Sequence, residues 1–514
     1  MRMSAFRAKL RLCRLGYIGT MDGMPHGSFQ QWLAVVVLLL AAAIGSFVLF
    51  VPPAVGMADQ GDFARVLPGA GLKYPASVLA APRPYFCFAN LTYQIVPLQL
   101  PDYVTSELAF TSAARIVRRL VGRAAVFDAR VLGAVHLLAL LVAFALLLRC
   151  ASGLTRLTQC MLGALLLLIG CDIGYLAYFN SFYSESATYL FGLAFIAAVI
   201  LLVNHPAPSR PQLVAVFLTL VLFVAAKVQN LPVLLATVPF LAISLRRVTP
   251  RSGEWRAVWV LGVLAMSAWL SVGGVVLKMN YKVRMVNLYN SIFLQVLPYS
   301  PSPAEDLVAL GLDPRLSAYA GQSAFSVHSV VGDPASFPRQ ASYARLVEFY
   351  LARPRRLLAL TSRGVRNSLS NRVPLGNFER AVGRPCTALS KAFSLWDSAR
   401  KRLHSLWFMA VFLLANIAAP WWLSARAANP RTCVLLQFQA VMASAGVLMF
   451  YTAILGDGNE FQKHLFIFNF LFDCCLVADV LWITERAAGF CADLAQRRGR
   501  HAHILLRQAQ VHRY

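Results

Sequence analysis

Apolar segments of about 20 residues recur along this chain and restrict its fold more than any other feature. Trp32 to Val51, Val131 to Leu148 and Ala257 to Leu277 are three of them. A helix needs about 20 apolar residues to cross a bilayer. Only 14% of the residues are charged, against roughly 25% in soluble domains. The sequence therefore predicts an all-α polytopic membrane protein.

Basic residues predict the orientation of the spans, because positively charged loops stay in the cytoplasm. Five basic residues precede the first apolar segment, against one acid, Asp22. With the N-terminus inside, about ten spans are predicted, and each short inner loop is basic. They run near 32–51, 131–149, 158–178, 186–203, 212–226, 231–245, 257–277, 405–424, 433–454 and 465–483. The first segment is long for a signal peptide, so we interpret it as an uncleaved span, with cleavage as the alternative.

This topology divides the chain into five regions. Residues 1–31 form a basic cytoplasmic N-terminus, and 32–277 form a transmembrane region that includes a first outer loop, 52–130. Residues 278–404 form a large extracytoplasmic loop, 405–483 the C-terminal transmembrane helices, and 484–514 a basic cytoplasmic tail. Both outer loops are expected to contain short helices. One is an amphipathic helix at 108–123, which either lies on the membrane surface or packs on neighbouring spans.

The formal net charge of +26 does not indicate nucleic-acid binding, because the arginines form no separate basic module. They flank the spans, where they set orientation and attract anionic lipid head groups, so the bilayer is the expected partner. Most of the ten cysteines lie in apolar runs or basic termini. Only Cys87 and Cys386 fall in long polar loops, which allows at most one disulfide.

A first acidic motif follows the first span directly. Asp59 and Asp62 are three residues apart around Gly61. Two such carboxylates can converge on one point, where they would abstract a proton from a hydroxyl or bind a divalent cation. The alternative is a turn that caps a short helix.

A second polar motif lies in the outer turn between the third and fourth spans. Asn180 and Tyr183 precede Glu185 there, among other aromatic residues. A turn needs Asn, and an interfacial belt needs aromatics, but neither needs an acid at the lip of a span. The combination indicates a ligand site. Asp172, deeper in the third span, is also a candidate, because an acid inside the membrane is usually functional.

The third motif is the outer turn between the last two spans, with Asp457, Glu460, Lys463 and His464. Lys463 and His464 can bind phosphate oxygens, oriented by Asp457 or Glu460. The alternative is a solvated turn with a weak Lys463–Glu460 pair. Asp473, in the last span, is as well explained by an interhelical polar contact as by a role in function.

The predicted topology puts all three motifs on the outer face. Further cations lie on that face in 353–372, and three of them are candidate phosphate ligands: Arg353, Arg355 and Arg356. Simple attraction to anionic head groups is the alternative explanation.

Together these motifs resemble those of GT-C integral membrane glycosyltransferases, in particular bacterial glycan-biosynthesis hexose transferases. The resemblance covers residues 57–465 and includes the segments 59–65, 178–185, 456–465, 291–293, 310–313 and 349–354. The chain departs from the pattern at Arg353, where those transferases tend to have His before Pro.

The resemblance implies transfer of a sugar, a hexose, from a polyprenyl-phosphate donor to an extracytoplasmic glycan or cell-envelope acceptor at a bacterial inner membrane. Asp62 or Asp59 would be the catalytic base. Lys463, His464 and one of the three arginines would stabilise the departing phosphate. A divalent cation, Mg²⁺ or Mn²⁺, stays open, with Asp59, Asp62 and Glu185 as its ligands.

Two other functions remain open on the sequence. A transporter or flippase of lipid-linked sugars would place polar sites near the membrane midplane, as Asp172 and Asp473 suggest. A non-enzymatic assembly partner in envelope biogenesis would tolerate loss of Asp62, Glu185 and His464.

Overall fold

The computed structural model describes residues 26–81, 85–99, 105–122, 125–279, 281–324, 326, 341–403, 405–459 and 461–511. Within these ranges, seven helices are long and apolar enough to cross a membrane. They are Gly27–Phe50, Ala129–Cys150, Glu185–Asn204, Gly253–Gly273, Leu406–Arg426, Pro430–Gly456 and Phe466–Cys491. The prediction of an all-α polytopic membrane protein is confirmed.

The α-helices are numbered in chain order. They are α1 (His26–Phe50), α2 (Leu67–Ala70), α3 (Ala76–Leu79), α4 (Glu107–Val121), α5 (Ala129–Cys150), α6 (Arg156–Leu165), α7 (Ile173–Leu176), α8 (Glu185–Asn204), α9 (Arg210–Ala225), α10 (Val233–Ile243), α11 (Gly253–Met279), α12 (Tyr281–Asn290), α13 (Pro303–Ala309), α14 (Tyr343–Leu351), α15 (Pro354–Asn367), α16 (Leu395–Arg400), α17 (Leu406–Arg426), α18 (Pro430–Gly456), α19 (Phe461–His464) and α20 (Phe466–Val511).

Three of the ten predicted spans are shorter helices. The segments predicted at 212–226 and 231–245 form α9 and α10. The segment predicted at 158–178 is interrupted: α6 continues as a π-helical turn, Leu166–Gly170, and a new helix, α7, starts after Asp172. The Asp172 side chain accepts a hydrogen bond from the Gly174 amide, so it caps α7.

Burial separates the spans that form the centre of the bundle from those at its periphery. In α8 and α18, 67% of the most apolar window is buried inside the protein, but only 22% in α11 and α17. Close packing at the centre depends on Gly192 of α8, where a Cβ atom would meet the Phe470 ring of α20. Because α11 and α17 leave large apolar side chains uncovered, they are the spans with the greatest surface available to lipid.

The first outer loop contains a small antiparallel sheet that the sequence did not predict. Its strands are β1 (Leu72–Lys73), β2 (Thr92–Ile95) and β3 (Val126–Asp128). The central strand β2 pairs with both others, with Leu72 opposite Ile95 and Thr92 opposite Asp128. The sheet brings the loop back to the start of α5, the second span.

The predicted amphipathic helix is α4, which packs on α5. Its buried side includes Glu107, Thr111 and Ala114, while Leu120 is 82% exposed and Val121 78%. The packing that was one alternative is therefore confirmed. The last turn of the same helix exposes Leu120 and Val121 next to Arg118 and Arg119, and this combination suits an interfacial position.

The two outer loops are joined to each other beside the first acidic motif. Cys87 and Cys386 form a disulfide, which confirms the one pairing that the sequence allowed. The Ala58 amide donates a hydrogen bond to the Gly376 carbonyl at 2.8 Å, and the Phe86 amide donates to the Asp59 carbonyl at 2.7 Å. The backbone around Asp59 is thus held by both loops.

Candidate functional site

Asp59 is held within its own loop. Its Oδ1 accepts hydrogen bonds from the amides of Gly61 at 2.7 Å and Phe63 at 3.2 Å, and Tyr74 donates its hydroxyl to Oδ2 at 2.9 Å. Burial raises the pKa of Asp59 above its usual range, although these three hydrogen bonds oppose the shift. Both oxygens accept hydrogen bonds that cap the turn, as the alternative interpretation expected, while a catalytic role of Asp59 stays a prediction. Gly61, at φ +109°, allows the turn that this capping requires.

Asp62, unlike Asp59, contacts charged side chains. Its Oδ2 pairs with the ammonium of Lys463, and its Oδ1 lies 3.0 Å from Arg65 Nη2. Burial opposes ionisation of Asp62, but attraction to Lys463, Arg65 and Lys227 outweighs it and holds the pKa of this carboxyl well below its usual range. Asp62 is therefore an ionised carboxylate, and the first and third predicted motifs are in direct contact.

Two side chains of the turn at 178–185 hold the start of the first outer loop by hydrogen bonds to its backbone. The Asn180 amide group donates to the carbonyls of Leu49 at 2.8 Å and Val55 at 2.7 Å. Tyr183 donates its hydroxyl to the Ala58 carbonyl at 2.9 Å and accepts from the Gln60 amide at 3.1 Å. Both side chains are almost fully buried. In this structure Asn180 and Tyr183 position the acidic loop, while their predicted contact with substrate stays a prediction.

Tyr183 also connects the second motif to the third. The Lys463 ammonium lies over its ring, 5.1 Å from the centroid. A cation in this position is attracted by the electron-rich face of the ring. Lys463 is thus enclosed by a ring on one side and by the Asp62 carboxylate on the other, and only 2% of its side chain is exposed.

Glu185 pairs with a lysine that the sequence analysis did not identify. Lys227 Nζ donates to Glu185 Oε1 at 2.9 Å. Lys227 lies in the short segment between α9 and α10, which the topology predicted from the sequence would put on the outer face. A lone lysine in a short outer turn runs against the usual distribution of positive charge, and this was the signal that could have identified it. Lys227 also helps to lower the pKa of Asp62.

Three cations and two carboxylates thus meet at one place, which we call the rim cluster. It comprises Asp62, Arg65, Glu185, Lys227 and Lys463. They come from the first outer loop, the start of α8, the α9–α10 turn and the short helix α19. The cluster has an excess of one positive charge, so it is suited to an anion.

His464 lies beside the rim cluster in a hydrogen-bonded chain. Its Nδ1 is 3.2 Å from Gln229 Oε1, and Gln229 donates its own Nε2 to the His464 carbonyl at 2.9 Å. An amide oxygen only accepts, so this geometry assigns a proton to Nδ1. His464 Nε2 faces Asp457 Oδ2 at 3.4 Å. Asp457 therefore lies where it can orient His464, as predicted; Glu460 lies outside the described residues.

The three predicted phosphate-binding arginines make their described contacts within the second outer loop. Arg353 stacks on Phe349, with 4.3 Å from its guanidinium carbon to the ring centroid. Arg356 pairs with Asp306, and Arg355 is exposed on α15. These contacts do not connect them with the rim cluster.

The carboxylates proposed as metal ligands do not suit a divalent cation in this arrangement. Asp59 accepts from amides and a tyrosine hydroxyl, Asp62 pairs with Lys463, and Glu185 pairs with Lys227. In the described part of the chain, no group of three or more His, Cys, Asp and Glu residues could hold a metal ion. In this arrangement ammonium groups, backbone amides and a tyrosine hydroxyl contact these carboxylates, and a metal at Asp59, Asp62 and Glu185 stays a prediction.

Asp172 and Asp473, the two acids that suggested a transporter, belong to a buried structural network. Asp172 Oδ2 accepts from the amides of Trp396 and Asp397, both at 3.1 Å. Asp473 Oδ2 accepts from Arg400 Nη1 at 2.8 Å and Trp396 Nε1 at 3.1 Å. The network fastens helix α16, at the end of the second outer loop, to the spans.

One family of known proteins matches this chain. The family model described as the YfdI N-terminal transmembrane domain matches residues 26–502. No curated protein and no solved structure matches the chain.

Proposed function

We propose, from the premise that this chain belongs to the family of YfdI N-terminal transmembrane domains, that it is a GT-C-type membrane glycosyltransferase. It would move a sugar, a hexose by the resemblance of its motifs, from a polyprenyl-phosphate donor to an extracytoplasmic glycan or cell-envelope acceptor. The observation that carries the proposal is the rim cluster, where a solvent-accessible carboxylate lies against several cations at the end of the spans. Glycosyl transfer from a lipid phosphate needs a base for the acceptor hydroxyl and cations that stabilise the leaving phosphate.

Two features support a position on the outer face of a bacterial inner membrane. Every short loop on the opposite side is basic, as expected for the cytoplasm. The Cys87–Cys386 disulfide joins the two loops that carry the cluster, and disulfides persist in oxidising compartments outside the cytoplasm.

In the proposed reaction, Asp62 accepts the proton of the acceptor hydroxyl while the hydroxyl oxygen bonds to the anomeric carbon of the sugar. The bond between that carbon and the phosphate oxygen breaks, and its electron pair stays on the phosphate. The leaving phosphate gains one negative charge, which Lys463, Lys227 and Arg65 are placed to stabilise, with His464 beside them. Asp62 is preferred to Asp59 because only Asp62 has a carboxylate that is not enclosed by its own loop.

The main alternative is a transporter or flippase of lipid-linked sugars. The observation in its favour is Asp479 of α20, which accepts hydrogen bonds from Asn416 at 2.8 Å and Gln439 at 2.7 Å in the middle of the spans. Acids in this position often mark a transport pathway. The enzyme is favoured because the charged groups concentrate at the outer rim.

The deciding experiment presents the purified protein with a panel of polyprenyl-phosphate sugars and follows release of the lipid phosphate. Asp62→Asn should reduce turnover by about 100-fold to 10,000-fold, the range expected for loss of a general base. The control is Glu254→Gln, which removes an exposed carboxylate that pairs with Arg210 and lies outside the segments of the resemblance. This control should stay near the wild-type rate. Equal turnover by Asp62→Asn, or no turnover with any donor, would refute the proposed reaction.

A further inference from the structure

Both lysines of the rim cluster pair with its carboxylates. Lys463 pairs with Asp62, and Lys227 pairs with Glu185. The side chain of Lys463 is 2% exposed, while that of Asp62 is 19% exposed. Since the Tyr183 ring lies on one side of the ammonium, the carboxylate covers its accessible side. An anion that binds the Lys463 ammonium on this side takes the place of the Asp62 carboxylate.

We infer that Asp62 and the phosphate of the donor lipid compete for Lys463, so that the lipid phosphate displaces the carboxylate when it binds. This inference rests on the proposed function. It also resolves a conflict within the site. A carboxylate held between Lys463 and Arg65 is a weak base, because a general base works best with a pKa near the working pH. Once Lys463 turns to the phosphate, Asp62 loses its nearest cation and becomes the stronger base that the reaction needs.

The same competition provides for product release. During transfer the phosphate changes from a diester with one negative charge to a monoester with up to two, while Asp62 becomes neutral by accepting the hydroxyl proton. A neutral Asp62 does not compete, so the product phosphate keeps Lys463. When Asp62 loses that proton to solvent, its carboxylate pairs with Lys463 again and displaces the lipid phosphate. Each turnover thus returns the cluster to the arrangement seen here.

The alternative is that the Asp62–Lys463 ion pair is purely structural. The two explanations differ in how removal of Asp62 changes the affinity for a lipid phosphate. If the pair only holds the loop, removing Asp62 should leave phosphate binding unchanged or weaken it through a loosened site. If the two anions compete, removing Asp62 should strengthen it. The affinity of the Asp62→Asn variant for a lipid phosphate therefore separates the two explanations.

The test uses the full chain in detergent, with farnesyl phosphate as the charged probe and farnesol as the uncharged one, by titration calorimetry. Asp62→Asn should bind farnesyl phosphate at least about tenfold more tightly than wild type, which is about 1.4 kcal/mol. Lys463→Met should bind it at least about tenfold more weakly, and Glu254→Gln, which changes an exposed carboxylate away from the cluster, should match wild type. Farnesol should bind all four proteins with the same affinity. Unchanged or weaker binding of farnesyl phosphate by Asp62→Asn would overturn the inference.

A measurement on wild type covers the case in which Asp62→Asn does not fold. Farnesyl methyl phosphate, a diester, lacks the second ionisation near pH 6 of a monoester. Protonation of Asp62 removes the competitor, so the affinity of wild type should rise as the pH falls through the pKa that Asp62 has in the complex. The other charged groups that act on Asp62 include Arg65, Lys463, Lys227, Asp59 and Glu185.

Among the neighbouring acids, Glu185 would act in the same direction through Lys227, so the pH series is repeated with Glu185→Gln. Protonation of His464, which lies beside the cluster, would also favour an anion, so the pH series is repeated with His464→Gln. A rise in affinity that persists in both variants is due to Asp62. A flat pH profile in wild type and both variants would contradict the competition.

Failure of the inference and failure of the proposed function give different results. Tighter binding by Asp62→Asn without turnover of any polyprenyl-phosphate sugar would support the competing anion site and reject glycosyl transfer. Turnover by wild type with unchanged binding in Asp62→Asn would keep the enzyme and reject the competition.

Discussion

Replacing Asp473 by asparagine should destabilise the protein by about 3 kcal/mol, at the lower end of the 3–5 kcal/mol typical of broken buried ion pairs. Asp473 Oδ2 receives Arg400 Nη1 at 2.8 Å and the Tyr175 hydroxyl at 2.5 Å. Arg400 is 1% exposed, so without the carboxylate its charge stays buried and loses its ion-pair partner, with Asp397 as a remaining source of attraction. The lower end applies because Arg400 Nε still donates to the Leu369 carbonyl at 2.9 Å.

The assay is unfolding in mixed micelles with a rising fraction of denaturing detergent, followed by tryptophan fluorescence, which includes the buried Trp396 beside the pair. Asp479→Asn is the matched control, because Asp479 lies in the same helix but accepts only from the uncharged amides of Asn416 and Gln439. Asp479→Asn should lower the free energy of unfolding by about 1 kcal/mol or less. Replacing Arg400 and Asp473 together by leucine should recover much of the loss. If Asp473→Asn costs no more than Asp479→Asn, the pair does not stabilise the fold as argued.

Three further outcomes are expected. Gly376→Ala should prevent the two outer loops from closing, because its Cβ would overlap the Cys87 carbonyl, and a thiol-labelling assay should then find Cys386 reactive. Cys87→Ser should lower the free energy of unfolding by about 2–4 kcal/mol, since the disulfide links residues 299 positions apart; equal melting curves would contradict this. The pKa of Asp62 is depressed in the folded protein, so its pair with Lys463 stabilises the fold above about pH 4 and less at lower pH. The melting temperatures of wild type and Asp62→Asn should therefore differ at neutral pH and converge in acid.

Local sequence patterns predicted the spans well because hydropathy is a property of each segment. Where a polar residue interrupts a segment, the prediction lost accuracy: a continuous span was expected at 158–178, yet the Asp172 side chain ends one helix and caps the next. The small sheet β1–β3 was not predicted, since its strands are two to four residues long and show no alternating pattern.

The sequence predicted which motifs contribute to the candidate site, but not which side chains pair with each other. Lys463 was expected to bind phosphate or to pair with Glu460, and the structure pairs it with Asp62. Lys227, the partner of Glu185, was missed: its position in a short outer turn is an unusual one for a lysine, but the sequence does not show which acid it contacts. Arg353, Arg355 and Arg356 were grouped with the site because of their charge and predicted side of the membrane, and neither property specifies a distance.

The sequence by itself determined that this chain spans a membrane many times and that its polar motifs lie on one face, because segment length and loop charge act on each segment separately. Only the tertiary structure decided that Asp62 contacts Lys463, 401 positions away. It likewise decided that Glu185 pairs with Lys227. Such contacts follow from how the helices pack, and packing depends on the shapes of all neighbouring side chains at once.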